Sequence, residues 1–317
     1  MQRTHHTWPG GRSSAAGLVL TLLLLTAPGP RPSAAAAPRA GAVTVVPGIP
    51  YRHATTWDDQ PVELTLDRYQ PPPGTPVRGA VVWIHGGGFV EGAQDDPADV
   101  AIATRLAEHG YVTASIGYRL GPVGGSSEEL DDPDVLGRII RAYDDARAAL
   151  RFVRDHAADW GFDPDRVFAA GASAGGGTAL NLAYLPAHHT DPASPFRVAG
   201  AVSLIARTEP SLIEPGEAPM LMINGTEDTT VPLSSAQATC DAARAVAVPC
   251  DLITYEMGHG DPALFEPIMA DVTTWLDARV DALDAAETLP STTAPAPAAP
   301  TPAAGAVPVA GRADFTG

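Results

Sequence analysis

Lysine is absent from the 317 residues, so all 20 cationic side chains are arginine. Beside abundant alanine, glycine and proline, that reads as the codon bias of a GC-rich genome and carries no functional content. Positive charge as a whole is scarce: 20 arginines face 37 acids, a formal net charge of −17. An acidic surface repels phosphate backbones and anionic lipid heads, which disfavours nucleic-acid and peripheral membrane partners. Cysteine is limited to Cys240 and Cys250. No histidine pair has metal-ligand spacing beyond the adjacent His188 and His189. The acidic stretches EGAQDDPAD and SSEELDDPD lack the ordered spacing of an EF-hand and read as solvated loops. No metal and no other cofactor is expected.

Long apolar runs are lacking too. The most apolar stretch, AAGLVLTLLLLTA at residues 15–27, falls short of the about 20 residues a membrane helix needs. It follows arginines in a segment without acids, is broken by Pro28, Gly29 and Pro30, and leads to the small residues SAAAA. Residues 1–37 therefore read as a secretory signal peptide cleaved near Ala37, with an uncleaved anchor as the alternative. No cysteine follows the run, which argues against lipid attachment. Export in turn predicts a single disulfide between Cys240 and Cys250. At the other end, residues 286–317 are rich in Pro, Ala and Thr and are expected to form a disordered tail. LPSTT within it lacks the glycine, apolar span and basic end of a cell-wall sorting signal.

Between these ends, residues 41–285 alternate buried-strand and amphipathic-helix patterns. AVTVV and VELTLDRY precede GAVVWI, a continuous apolar run of the kind covered on both faces. A helix ending at Gly110, the strand YVTASIGY, a long helix stopping near Gly161, and the strand RVFAAG follow. ASAGGGTALNLAYL reads as a helix, VAGAVSLIA, APMLMING and CDLITYEMG as further strands, and ALFEPIMADVTTWLDARVDAL as a closing helix. The pattern predicts one α/β domain, a mostly parallel sheet with helices on both faces.

GASAG at Gly171–Gly175 matches G-x-S-x-G, weak as a bare pattern. Its place, where a buried strand turns abruptly into a helix, strengthens it, because such a turn lifts its central residue clear and tolerates only small neighbours. Ser173 would then be a nucleophile, needing a base oriented by an acid. Among nine histidines, His5 and His6 fall in the leader and His53 ahead of the core sheet. His109 and His156 lie near helix ends, and His188 and His189 in a polar loop. His259, in EMGHGDP directly after the last strand, is the best candidate base. The acid is sought in NGTEDTTVP, where Asp228 and Glu227 both qualify and Asp228 holds the G-x-x-D-x-x-V-P spacing.

Taken together, HGGGF, GYRL, DPDRV, GASAGG, GTEDTTVP and GHG resemble the α/β-hydrolase esterases of the carboxylesterase and hormone-sensitive-lipase group, and are similar to secreted carbohydrate esterases. The likeness covers about residues 60–282. It departs from the group at Ala172, where an acid is frequent, and at Asn224, where histidine is. The resemblance implies an α/β-hydrolase fold, a Ser173–His259–Asp228 triad, and an oxyanion hole from the N–H groups of Gly87, Gly88 and Ala174. It implies a secreted monomeric enzyme for small-molecule or polysaccharide-linked esters, without nucleic-acid partners or stable membrane association. No segment is long enough for a cap domain. A prolyl-oligopeptidase-type peptidase and a non-catalytic binding module are the competing readings. His85, at the head of the glycines, is expected to anchor its loop. Trp57, Phe89, Tyr118 and Phe265 are candidates for the substrate pocket and equally for the core.

Overall fold

The computed structural model describes residues 41–122, 133–185 and 194–288. The expected signal peptide, most of the second acidic stretch, His188, His189 and the tail beyond Thr288 lie outside them. In chain order the elements are β1 (Thr44–Thr55), β2 (Pro61–Gln70), β3 (Gly79–Ile84), α1 (Pro97–Glu108), β4 (Tyr111–Ile116), α2 (Pro133–Asp155) and α3 (Ala157–Trp160). There follow β5 (Val167–Ala172), α4 (Ala174–Tyr184), β6 (Ala201–Leu204), β7 (Met220–Gly225), α5 (Leu233–Ala245), β8 (Cys250–Tyr255) and α6 (Phe265–Thr288).

Eight strands form one sheet in the order β1-β2-β4-β3-β5-β6-β7-β8. The β1–β2 and β2–β4 pairs are antiparallel and every other pair is parallel. Each residue of β3, β4, β6 and β7 is buried, as two covered faces require. Successive side chains still alternate between faces. Ala80, Val82 and Ile84 pack with Ala146, Leu150 and Val153 of α2 and Leu180 and Ala183 of α4. Val81 and Trp83 pack on the other side with Leu106 of α1 and Val272, Trp275 and Leu276 of α6.

Three expectations change. β1 runs far beyond AVTVV and places His53 on the sheet's edge strand; its register slips at Val46/Ile49 and Pro50/Arg52, which hides the alternation. The long helix is interrupted at His156, whose Nδ1 lies 2.8 Å from the Phe152 carbonyl oxygen, before the expected stop at Gly161. α6 continues to Thr288, past the expected tail boundary at 286. Cys240 on α5 and Cys250 on β8 form the expected disulfide, with Cα atoms 5.4 Å apart.

Candidate active site

Ser173 is the single residue between β5 and α4. Its backbone is at φ 52°, ψ −121°, a conformation that costs a non-glycine residue about 1–3 kcal/mol and persists only when its surroundings impose it. Here they do. Ser173 N–H donates to the Leu204 carbonyl at 2.9 Å, tying the turn to β6, and the Ser173 carbonyl accepts from Gly177 N–H at 2.9 Å. A Cβ on Gly175 would overlap the carbonyl oxygen of Ile84, so the end of β3 and the serine turn touch backbone to backbone.

The parallel strands β7 and β8 bring the other two groups to the same edge. Asp228 follows β7, and its Oδ1 accepts from the N–H groups of Thr230 and Val231 at 2.9 Å each. Its Oδ2 lies 2.8 Å from His259 Nδ1, and His259 Nε2 lies 2.9 Å from Ser173 Oγ. The Asp228 side chain is fully buried, whereas Glu227 faces solvent, which separates the two candidate acids. The loops are stapled together: Thr226 N–H donates to Tyr255 O and Glu227 N–H to Met257 O. Gly225 permits this approach, since a Cβ there would overlap Met257 O.

The three glycines sit beside this turn. A Cβ on Gly86 would come within 3.2 Å of Ala172 O and 3.5 Å of Ser173 Cβ. Gly87 and Gly88 hold φ of 102° and 60°. Among the described residues the N–H groups of Gly87, Gly88 and Ala174 have no protein acceptor, and Gly88 and Ala174 line the cavity at Ser173. His85 is buried behind the loop, stacked on Tyr118 with ring centroids 4.3 Å apart. Burial pushes its pKa down, so the neutral ring donates from Nδ1 to Gly86 O at 2.7 Å. Tyr118 OH donates to the His85 and Gly86 carbonyls at 3.1 and 3.2 Å. Part of the first acidic stretch is structural as well: Asp99 is buried and accepts from Trp83 Nε1 at 2.6 Å.

Ser173 opens into a cavity of about 520 Å³, lined mainly by apolar groups. Of the four aromatic candidates, Phe89 lines it. Trp57 lies against Arg141, Phe265 under Arg105, and Tyr118 behind the glycine loop. Most of the wall comes from residues the sequence did not single out: Leu136, Ile139, Ile140 and Tyr143 of α2, Leu212, and Arg207 after β6. The α2 residues repeat at helical spacing and read as core from sequence alone. Among the described residues no cluster of three or more metal-binding side chains occurs, and no helix is long and apolar enough to cross a membrane.

Known proteins share this architecture. The apo form of Thermogutta terrifontis esterase 2 superposes with a TM-score of 0.60, covering 76% of this chain and 96% of that one at 22% identity. A truncated carbohydrate esterase from gut microbiota reaches the same TM-score at 16% identity, over 77% and 99% of the two chains. Residues 66–202 match the family model described as BD-FAE. The chain has the α/β-hydrolase fold. Among curated relatives of this chain, the para-nitrobenzyl esterase of Bacillus subtilis (strain 168) is 39% identical over 121 residues, 36% of this chain and 23% of the relative. Carboxylesterase NlhH of Mycobacterium tuberculosis (strain CDC 1551 / Oshkosh) is 31% identical over 178 residues, 56% of this chain and 51% of the relative. The chain thus spans about half or less of the length of these two relatives.

Proposed function

We propose that this protein is a secreted serine esterase that cleaves carboxylic esters through an acyl-enzyme on Ser173. The observation that carries the reading is the unbroken chain from Ser173 Oγ through His259 to Asp228, with links of 2.9 and 2.8 Å. A serine hydroxyl is a poor nucleophile until a base can take its proton. In this reading His259 Nε2 accepts that proton as Oγ attacks the ester carbonyl. Asp228 accepts from Nδ1–H, fixing the tautomer and steadying the imidazolium. The N–H groups of Gly87, Gly88 and Ala174 receive the oxyanion, each worth about 3–4 kcal/mol at the transition state. Collapse expels the alcohol with the proton from His259. Water then repeats the sequence and releases the acid.

The esterase relatives support ester chemistry, and the cavity beside Ser173 has room for a short acyl or alcohol portion, including one linked to a polysaccharide. The leader-like residues 1–37 support export. The test is hydrolysis of p-nitrophenyl acetate: Ser173→Ala should lower kcat by about 10⁴-fold or more. A fluorophosphonate probe should label the native protein and spare the variant. Full activity in S173A, or no labelling of the native protein, would overturn the reading.

A further inference from the structure

Arg207 stands apart from every other described arginine. Nine of them reach carboxylates: Arg52, Arg78, Arg105, Arg119, Arg151, Arg154, Arg166, Arg197 and Arg244. Arg68, Arg141, Arg147 and Arg279 lie over aromatic rings, and Arg138 donates to carbonyl oxygens. Alone among the described arginines, Arg207 has neither an acid, a carbonyl nor a ring as a partner, although the chain carries 37 acids. It is half-buried and lines the cavity that Ser173 opens into. An arginine on the wall of a mainly apolar cavity, with no partner for its guanidinium among the described residues, is set to receive an anion from outside.

The backbone around it is held on both sides. Ile205 has φ 48°, rare for a β-branched residue, and its N–H donates to Ile223 O at 2.7 Å. Asn224 Nδ2 donates to Ala206 O at 3.5 Å. Thr208 Oγ1 donates to Asn181 Oδ1 at 2.9 Å, and Thr208 O accepts from Thr239 Oγ1 at 3.3 Å. With Oδ1 so used, the amide NH₂ of Asn181 has no acceptor among the described residues, and Asn181 lines the same cavity. A Cβ on Gly177 would lie 3.3 Å from Arg207 O, placing Arg207 beside the helical turn after Ser173. Gly177 is four residues along α4, about 6 Å from the nucleophile. Glu209, the one acid on the wall, is exposed and its Oε1 accepts from the N–H and Oγ of Ser211.

We infer that Arg207, with the Asn181 amide, forms an anion subsite, and that the preferred substrates are esters carrying a carboxylate a few atoms from the scissile carbonyl. This rests on the esterase reading. The carboxylate could belong to the acyl or the alcohol portion, and two matched pairs distinguish them. Monoethyl glutarate against ethyl pentanoate tests the acyl side; 4-acetoxybutanoate against butyl acetate tests the alcohol side. In Arg207→Gln, kcat/KM for the carboxylate ester of one pair should fall roughly ten- to a hundredfold, the strength of a charge-assisted contact. The loss should lie mainly in KM, with the neutral ester changed by less than about twofold. Arg207→Lys should recover part of the preference, because the charge remains and the planar fork is lost. If the native enzyme cleaves the neutral esters and R207Q leaves both ratios unchanged, the anion subsite is wrong. Native protein inert toward all four esters and toward p-nitrophenyl acetate would overturn the esterase reading itself.

Discussion

Glu217 shows how a single buried side chain sets a pH dependence. It is 9% exposed in the connection leading into β7, its Oε2 accepts from Glu214 N–H at 2.8 Å, and burial pushes its carboxyl from the usual 4.5 up to about 7. Below pH 4.5 both folded and unfolded chains hold the proton. Between 4.5 and 7 the unfolded chain releases it while the folded chain keeps it, so this group's contribution to stability falls as pH rises. Glu217→Gln keeps an acceptor and removes the titration. By calorimetry it should melt above the native protein at pH 8 and level with it near pH 4; an equal difference at both values would contradict this. Legibility at this scale was uneven. Ser173, Asp228 and His259 follow strands directly and could be read from motif and order. That Asp228 rather than Glu227 meets the histidine depends on which side chain turns inward. Arg207 has no motif, and its meaning lies in the absence of a partner.

At the scale of elements, the site depends on how closely the glycine loop, the serine turn and the loop after β8 approach. A Cβ on Gly175 would overlap backbone of β3, which cannot yield as a flexible side chain does. Gly175→Ala should therefore destabilise the protein by about 3 kcal/mol or more in urea denaturation. Gly258→Ala, with nothing within 4 Å of the added carbon, should stay within about 0.5 kcal/mol. Equal effects would contradict the backbone contact. Strain gathers in the same region: of the non-glycine residues at positive φ, Phe89 and Ser173 line the cavity and Ile205 precedes it. The inner strands were legible because burial on both faces makes them continuously apolar. β1 was cut short because its register slips break the two-residue period, and the break at His156 was missed because the apolar spacing runs straight through it.

For the molecule as a whole, two hydrophobic layers flank one sheet, and the disulfide fastens α5 to the edge strand β8. Closing a loop with a sequence separation of 10 residues restricts the unfolded chain by about 3 kcal/mol in the chain-entropy model. Reduction should lower the melting temperature by several degrees, with p-nitrophenyl acetate turnover at 25 °C retained, because neither cysteine lines the cavity. An unchanged melting temperature would show that the bridge contributes nothing. The net charge of −17 also favours a local rather than a global origin for any preference for anionic esters, since the overall field repels them.

The sequence by itself determined the α/β class, the strand-to-helix turn at Ser173, the chain order of the three polar groups and the need for glycine beside them. Each is a local matter of periodicity, backbone freedom or the residue that follows a strand. Only the tertiary structure decided that β7 and β8 set Asp228 and His259 within 3 Å contacts of one another and of Ser173. It alone decided that α2 walls the cavity and that Arg207 lines it without a partner among the described residues. Those depend on which distant segments pack together, and no local pattern in the chain encodes a neighbour more than a few turns away.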